Sequence, residues 1–246
     1  MVKQAFWFAK KELKYHVTAM ISTALFVVFV GIIAALHLED AVHTIFVSDT
    51  TTYSRFVLDF LFIGLTPTFG AIFFAKPYLT FRTIKEDPYG KRMAFFRALP
   101  IPVKTLALSR TIIMLTTLVT LSIVFYTTIT ITVQTSFFTI LSPEKYIIFI
   151  LIWFGFALML AGFNPFVEYG TSGKALFIIP SIVLIPIIIT IIVIYQIFDL
   201  GIVETVFLAI DKLGWIVAVI AILLGILGSY IWNKLLTKRL LKRDYL

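Results

Sequence analysis

The chain alternates between long apolar stretches and shorter polar segments. Six apolar stretches are each long enough to cross the roughly 30 Å hydrocarbon core of a bilayer as a helix of about 20 residues. They cover approximately residues 18–36, 56–75, 106–133, 146–167, 175–198 and 213–232. Backbone groups in lipid must find hydrogen-bond partners within their own segment. The pattern therefore predicts an all-α, polytopic membrane protein with six transmembrane helices in a single transmembrane domain.

The charges of the polar segments differ between the two sides of this alternation. Eighteen of the 21 Lys and Arg residues lie on one side, in segments 1–17, 76–105, 168–174 and 233–246 and at Arg110, the foot of the third stretch. The other side has only Arg55, Lys145 and Lys212, among a larger number of Asp and Glu residues. Lys and Arg close to membrane spans are retained in the cytoplasm. Both termini are therefore predicted to be cytoplasmic.

Composition narrows the class of protein further. Hydrophobic residues make up 60% of the chain and charged residues only 14%, which excludes an ordinary soluble domain of this length. The net charge of +8 lies beside the spans, so it indicates anionic lipid head groups as partners rather than a nucleic acid. Cysteine is absent, which excludes disulfides and thiol nucleophiles. The three His residues lack the spacing of metal ligands, so no metal site is predicted.

The first 17 residues form an amphipathic pattern when they are placed on a helix. Lys3, Lys10, Lys11 and Lys14 share one arc, and an apolar arc adjoins it. Such a helix lies flat in the cytoplasmic surface of the membrane, as an elbow before the first span. Its predicted membrane-interface residues are Phe6, Trp7, Lys10, Lys11, Leu13 and Lys14. The alternative is a basic flank that only sets the orientation of the first span.

The polar segment 76–105 is the largest in the chain and carries both charge and aromatic side chains. Asp87 to Gly90 is a turn signal, because proline fixes φ and glycine accepts positive φ. Gly90 to Leu99 can then form a short amphipathic helix that ends before Pro100. Apolar side chains ringed by charge are typical of a partner surface, and the alternative is a plain surface loop.

Three further features concern the spans and the loop between the last two of them. Proline breaks helical hydrogen bonding, so we expect kinks at Pro67, Pro180 and Pro186, either static or as part of a rocking movement. Segment 199–212 is too short to cross and too apolar for an ordinary loop, so it is predicted as an external re-entrant or interfacial helix. Asp59 and Glu168 lie near span ends and are assigned to the membrane interface.

Two short runs resemble a known family. The string Lys10 to Lys14, and the run Arg97 to Pro102 that leads into the third span, are similar to the corresponding parts of ABC-2-type transporter permeases. The resemblance implies dimerisation with a second permease subunit, and a coupling helix within about residues 82–99 that docks on two cytoplasmic ATPase subunits. The docking residues that it implies are Glu86, Tyr89, Arg92, Phe95, Phe96 and Arg97.

The resemblance also implies a function. A permease subunit would export a hydrophobic or amphipathic cargo, with a peptide ranked first, across a bacterial cytoplasmic membrane. ATP and Mg²⁺ would bind the partner ATPase, and this chain would bind no cofactor and catalyse no reaction. The string Gly170 to Lys174 has the wrong spacing for a phosphate loop, in agreement with that division of labour. The alternatives are a self-contained carrier or channel, and a non-transporting protein that sequesters a membrane-active peptide.

Overall fold

The chain folds as a bundle of long helices with short helices at both ends. In this computed structural model, the described residues 1–47, 53–198 and 200–243 form helices and turns, with no β-strand among them. The α-helices of these residues are α1 (Val2–Tyr15), α2 (Val17–Phe46), α3 (Arg55–Phe60), α4 (Lys76–Leu79), α5 (Thr83–Glu86), α6 (Pro88–Ala98), α7 (Val103–Thr132), α8 (Thr135–Ile140), α9 (Pro143–Ala161), α10 (Phe163–Gly170), α11 (Gly173–Phe198), α12 (Ile202–Leu213) and α13 (Trp215–Lys242).

Five helical segments are long and apolar enough to cross a membrane, which confirms the all-α, polytopic class. They are α2, α7, α9 together with α10, α11 and α13. They coincide with the first, third, fourth, fifth and sixth predicted stretches. Helix α2 continues about ten residues beyond the predicted end at 36, and its 30 residues span roughly 45 Å. It is therefore longer than a hydrocarbon core of about 30 Å.

The second apolar stretch differs from the regular helix that was expected over residues 56–75. After α3 the chain forms a π-helical turn over Leu61–Leu65 and a 3₁₀ turn over Thr66–Gly70, and it is extended at Ala71. Pro67 has no N–H group and cannot continue an α-helix through this point. The Thr66 Oγ1 hydroxyl donates to the Phe62 carbonyl at 2.6 Å. The break expected at Pro67 is thus a change of helix type across ten residues.

The broken stretch lies against the interior of the bundle. The Phe62 ring centroid lies 5.0 Å from that of Trp153 and 5.2 Å from that of Phe149, both in α9. The Phe69 centroid lies 5.3 Å from that of Phe125 in α7. Edge-to-face and tilted contacts at these separations add to the burial of apolar area. The core therefore contains the irregular stretch between α7 and α9.

Helices α9 and α13 approach each other along a glycine seam. A Cβ atom added to Gly155 would lie 2.5 Å from the Ala221 backbone, and one added to Gly225 would lie 2.7 Å from the Gly155 carbonyl oxygen. A Cβ on Gly228 would meet the Met159 carbonyl oxygen at 2.7 Å. Small residues let helix backbones pack closely in membranes, where the hydrophobic effect does not drive association. The seam makes α9 and α13 one tightly joined pair.

Helix α11 is packed much more sparsely than α9. Only 6% of the apolar window of α11 is buried within the chain, against 56% for the window in Pro143–Gly170. Pro180 and Pro186 both lie inside α11, which continues through them without interruption. The window of α13 is only 11% buried as well, so the described part of the bundle combines a dense centre with two helices whose apolar surface is mostly exposed.

Candidate functional site

Helix α6 is the short helix expected between the second stretch and α7, but it is not amphipathic, because Phe95 is exposed while Arg92 is half-buried. Asp87 precedes it with φ 39° and ψ 62°, and its side chain accepts a hydrogen bond from Gly90 N at 3.1 Å. Pro88 follows in the first turn, where a missing N–H costs nothing. The helix therefore starts two residues before the expected Gly90. It ends at Ala98, since Leu99 is extended ahead of Pro100.

Helix α1 packs on the start of α7 through one face. Ala5, Ala9 and Glu12 are buried and recur at the i, i+4, i+7 spacing of a single helix face. Two small alanines bring the helices close, and Glu12 then enters the interior, where it is 6% exposed. A buried carboxylate requires charged or hydrogen-bonding partners. The elbow predicted from the lysine arc is thus attached to the bundle by the opposite, alanine-rich face.

Glu12 is the centre of a buried charge cluster. Its carboxylate forms an ion pair with Arg110 of α7, whose side chain is 1% exposed, and its Oε1 lies 2.9 Å from Arg92 Nη1 of α6. Tyr169 of α10 donates its hydroxyl to Glu12 at 3.1 Å and accepts from Arg110 Nη1 at 2.8 Å. One carboxylate therefore joins α1, α6, α7 and α10. We call Glu12, Arg92, Arg110 and Tyr169 the basic-end cluster.

The electrostatics of the cluster favour the ionised form of Glu12. Burial alone would raise the pKa of this carboxyl, but the guanidinium groups of Arg110 and Arg92 outweigh burial and hold its pKa below the ordinary value. The same surroundings favour the neutral form of the neighbouring His16. Burial, with the two guanidinium groups, lowers the pKa of His16 against the opposing effect of Glu12, so its neutral form is favoured.

Helix α6 is also tied to the last turn of α13. Arg243 Nη2 lies 2.6 Å from Asp87 Oδ2, the carboxylate that caps α6. Arg97 Nη1 donates to the Arg243 carbonyl at 2.8 Å, and Arg243 Nη1 donates to the Tyr169 carbonyl at 3.0 Å. Both ends of α6 are thus bonded to the spans. A force applied to α6 would reach α7 through Arg92 and Glu12, and it would reach α13 through Arg243.

The six predicted docking residues divide between two faces of this segment. Phe95 is 64% exposed, and Glu86 and Arg97 are exposed with it. Arg92 and Phe96 are half-buried against α1, where the Phe96 ring lies 5.8 Å from that of Phe8. Tyr89 is buried. In this conformation a partner would meet Glu86, Phe95 and Arg97. The other three pack α6 against the bundle, and Arg97 also bonds to Arg243.

The predicted membrane-interface residues of α1 lie mostly on its open side. Phe6, Trp7, Lys10, Lys11 and Lys14 are exposed, and Leu13 is half-buried. The Lys11 ammonium lies 4.8 Å from the Trp7 ring centroid, within cation–π range. Aromatic and basic side chains therefore share the open face of α1, an arrangement typical of a helix in the head-group layer.

The opposite end of the bundle contains a second buried carboxylate, Asp59 of α3. Its two oxygens accept from Ile202 N at 2.7 Å, Val203 N at 2.8 Å and the Tyr195 hydroxyl at 2.8 Å. The side chain thus caps α12 from another part of the chain and is 1% exposed. The placement of Asp59 near the membrane interface stays a prediction, but its carboxylate does not face solvent, because it is buried against the first amides of α12.

Glu204, in the first turn of α12, completes this arrangement. Its Oε2 accepts from Gly201 N at 2.9 Å, and its Oε1 accepts from Arg55 Nε at 2.8 Å and from the Tyr53 hydroxyl. We call Asp59 and Glu204 the acidic-end pair. The segment predicted as a helix over 199–212 contains α12, while its external position stays a prediction and Asp199 lies outside the described residues. Its first turn is fixed to α3 rather than lying free on a surface.

A groove of about 380 Å³ lies on the side of the bundle between α7 and α9. Hydroxyl groups of Ser122, Tyr126, Thr127 and Thr130 line it together with apolar side chains such as Phe154. The groove lies along the second half of α7 and the middle of α9. Its combination of apolar walls and hydroxyl groups suits an amphipathic molecule better than an ion.

Sequence reasoning missed Glu12 and Tyr169 as members of a site, and it read Arg110 only as a topology signal. A detectable signal was that Glu12 is the single acidic residue among the first 17 and shares a face with two alanines. Within the described ranges, no group of three or more His, Asp or Glu side chains is placed to hold a metal ion. Comparisons with protein families, with curated proteins and with solved structures give no match to this chain.

Proposed function

We propose that this chain is the membrane-spanning permease subunit of an ATP-driven exporter, energised by separate cytoplasmic ATPase subunits that bind ATP and Mg²⁺. The observation that carries the proposal is the placement of α6. It presents Phe95 and Arg97 outward. Arg92 bonds to Glu12 of α1, which in turn pairs with Arg110 of α7, and Asp87 bonds to Arg243 at the end of α13. A helix that is open on one side and bonded to the spans on the other is suited to transmit movement of a docked partner.

The arrangement of the ends supports six crossings with both termini in the cytoplasm. Glu12 near the start of the chain and Arg243 near its end both bond to α6 or its cap, so the two ends lie on the same side of the bundle. This placement supports an even number of crossings. The five long helices reach six when the broken stretch from α3 to Gly70 also crosses. The basic residues at this end favour the cytoplasmic side of a bacterial cell membrane.

The groove between α7 and α9 supports a hydrophobic or amphipathic cargo. Its hydroxyl groups offer hydrogen bonds without charge, as an extended peptide or a lipid-like molecule would require. We assign the sparsely packed α11 to the contact with a second permease subunit, either an identical copy or a paralogue. Of the five long helical segments, α11 has the least buried apolar window, and this contact would cover it.

The proposal is tested by extracting the tagged chain gently from its native membrane and identifying what co-purifies. We expect a stoichiometric ATPase that is lost with Phe95→Glu, because a carboxylate would replace the outward ring of α6. Phe81→Glu is the matched control, since Phe81 is an exposed ring in the same segment but outside α6. Loss with both variants, or with neither, would count against docking through α6.

A second candidate function is sequestration of a membrane-active peptide without transport. The same groove favours it, because binding a cargo does not require an ATPase. Its distinguishing outcome is protection of cells that survives removal of every ATPase partner and is lost when Thr127→Phe narrows the groove. A self-contained carrier would instead give flux in liposomes that contain only this chain.

A further inference from the structure

A cleft lies where three elements meet at the basic end. It is formed by the junction of α1 and α2, by the segment that follows Gly70, and by the first half of α6, and its volume is about 470 Å³. We call it the elbow cleft. This volume is within the range of small-molecule sites. The charge cluster described above lies behind the cleft and shares Arg92 with it.

The polar lining of the elbow cleft is cationic and rich in hydrogen-bond donors. Lys76, Arg92 and His16 contribute nitrogen groups, and Thr18 and Ser22 contribute hydroxyls. Among the described residues that line it there is no carboxylate. Arg92 Nη1 is paired with Glu12, but a guanidinium has five N–H donors. Arg92 can therefore also donate to a second oxyanion. Arginine and lysine together are typical partners of a phosphate group.

The apolar side of the cleft leads along α2 toward the membrane interior. Phe74 and Ala19 form part of the wall. Ser22 is followed on the same face of α2 by Phe26 and Phe29, at i+4 and i+7, and both rings are exposed. The Phe26 ring contacts that of Phe74 at 5.8 Å. A molecule with its polar end in the cleft can therefore place a hydrocarbon chain along α2.

The level of the cleft in the membrane follows from α1. The open face of α1 carries Phe6, Trp7 and three lysines, which places this helix in the head-group layer. Tyr15 and His16, at the end of α1, line the cleft. The cationic groups of the cleft therefore lie at the depth where lipid phosphates lie.

We propose that the elbow cleft binds the phosphodiester head group of an anionic glycerophospholipid, with Lys76 and Arg92 on the phosphate and an acyl chain along Phe26 and Phe29. The site needs no ATPase and no cargo. A basic surface attracts anionic lipids in general, whereas this cleft would bind one lipid at one defined position. A lipid there would contact α1, α2 and α6 together and would stabilise their arrangement.

The test is native mass spectrometry of the full chain in detergent, with phosphatidylglycerol or phosphatidylcholine added at equal concentrations. We expect one phosphatidylglycerol molecule to be retained at least tenfold more tightly than phosphatidylcholine. Lys76→Gln should weaken its retention about fivefold, as removal of one charge near a phosphate does. Lys104→Gln is the matched control, since Lys104 is exposed at the same end but does not line the cleft.

Further measurements separate the cleft from other sources of binding. Ala19→Phe fills the apolar wall without changing charge and should remove the retained lipid, and circular dichroism establishes that this variant is folded. Phosphatidylglycerol should raise the melting temperature, whereas inorganic phosphate should not. Equal weakening by Lys76→Gln and Lys104→Gln, equal retention of the two lipids, or equal stabilisation by inorganic phosphate would overturn the proposal. The assay contains no ATPase, so its failure would leave the transporter proposal standing.

Discussion

The two ends of the bundle hold their peripheral helices by different means. At the basic end, Glu12 joins α1 to the bundle through the side chains of Arg92 and Arg110. At the acidic end, Asp59 joins α12 to α3 through the backbone amides of Ile202 and Val203. A bond between side chains depends on the rotamers of both partners, while a bond to helix amides fixes the helix itself. A buried carboxylate thus holds a peripheral helix at each end, through side chains at the basic end and largely through backbone amides at the acidic end.

The largest effect that would test this comparison is expected at Glu12. Glu12→Gln leaves the Arg110 guanidinium buried without its carboxylate, which should cost about 3–5 kcal/mol of unfolding free energy. Reversible unfolding in mixed micelles measures the change. Glu86→Gln is the control, since this exposed carboxylate should contribute within about 0.5 kcal/mol.

A paired replacement sharpens the test. Glu12→Leu combined with Arg110→Met removes both buried charges, and it should recover most of the stability lost by Glu12→Gln, because apolar replacement of a buried ion pair is often neutral. Failure to recover would mean that the bonds of Arg92 and Tyr169 to this pair carry much of the stabilisation.

Removing the carboxylate at the acidic end should have a smaller and more local effect. Asp59→Ala leaves two buried amides and the Tyr195 hydroxyl without their acceptor, which should cost about 1–3 kcal/mol. Amide hydrogen exchange at Ile202 and Val203 should accelerate while α1 is unaffected. Ser54→Ala removes an exposed cap of α3, and it should leave exchange at those two amides unchanged.

The long helices and their order were predictable because they depend on the hydropathy of consecutive residues. Hydropathy located five long helices, and Asp87-Pro88 located α6 to within two residues. The buried cluster was not predictable, since Glu12 meets Arg110 only after α1 folds back on α7. The change of helix type after Phe60 was also missed, because a hydropathy profile records apolar length and not hydrogen-bond geometry. The glycine seam depends on which helices become neighbours.

A change of pH should change the stability of the two ends in opposite directions. The effect should be smaller than that of Glu12→Gln or Asp59→Ala, because protonation leaves the side chains in place. The pKa of Glu12 is lowered, so its contribution is present above the unfolded value of about 4.5 and is lost as pH falls through the folded pKa. Burial raises the pKa of Glu204 against the opposing Gly201 amide, so its contribution is present below about 4.5 and is lost as pH rises through the folded pKa.

Hydrogen exchange, corrected for its intrinsic pH dependence, measures this contrast. Protection in the first turn of α12 should decrease as pH rises from 4.5, whereas protection in α1 should decrease as pH falls below 4.5. Parallel changes in the two helices would contradict the idea that each end is held by its own carboxylate.

The smallest expected effect concerns an exposed ion pair at the acidic end. Lys145 Nζ lies 2.6 Å from Asp211 Oδ1, but both side chains are substantially exposed. Such pairs contribute about 0–1 kcal/mol and are screened by salt. Asp211→Asn should change unfolding free energy by less than 1 kcal/mol, and still less at high ionic strength. A larger loss would show that α12 is held at both of its ends.

The glycine seam between α9 and α13 has a consequence for the order in which the protein matures. Helix α9 presents Gly155 to a partner that is synthesised only after α10, α11 and α12. Until Gly225 and Gly228 are synthesised and inserted, that face of α9 can contact only lipid or helices that are not its final partners. The densest contact of the bundle therefore closes last during synthesis, so a chaperone or insertase that holds inserted but unpaired helices would act on α9 first.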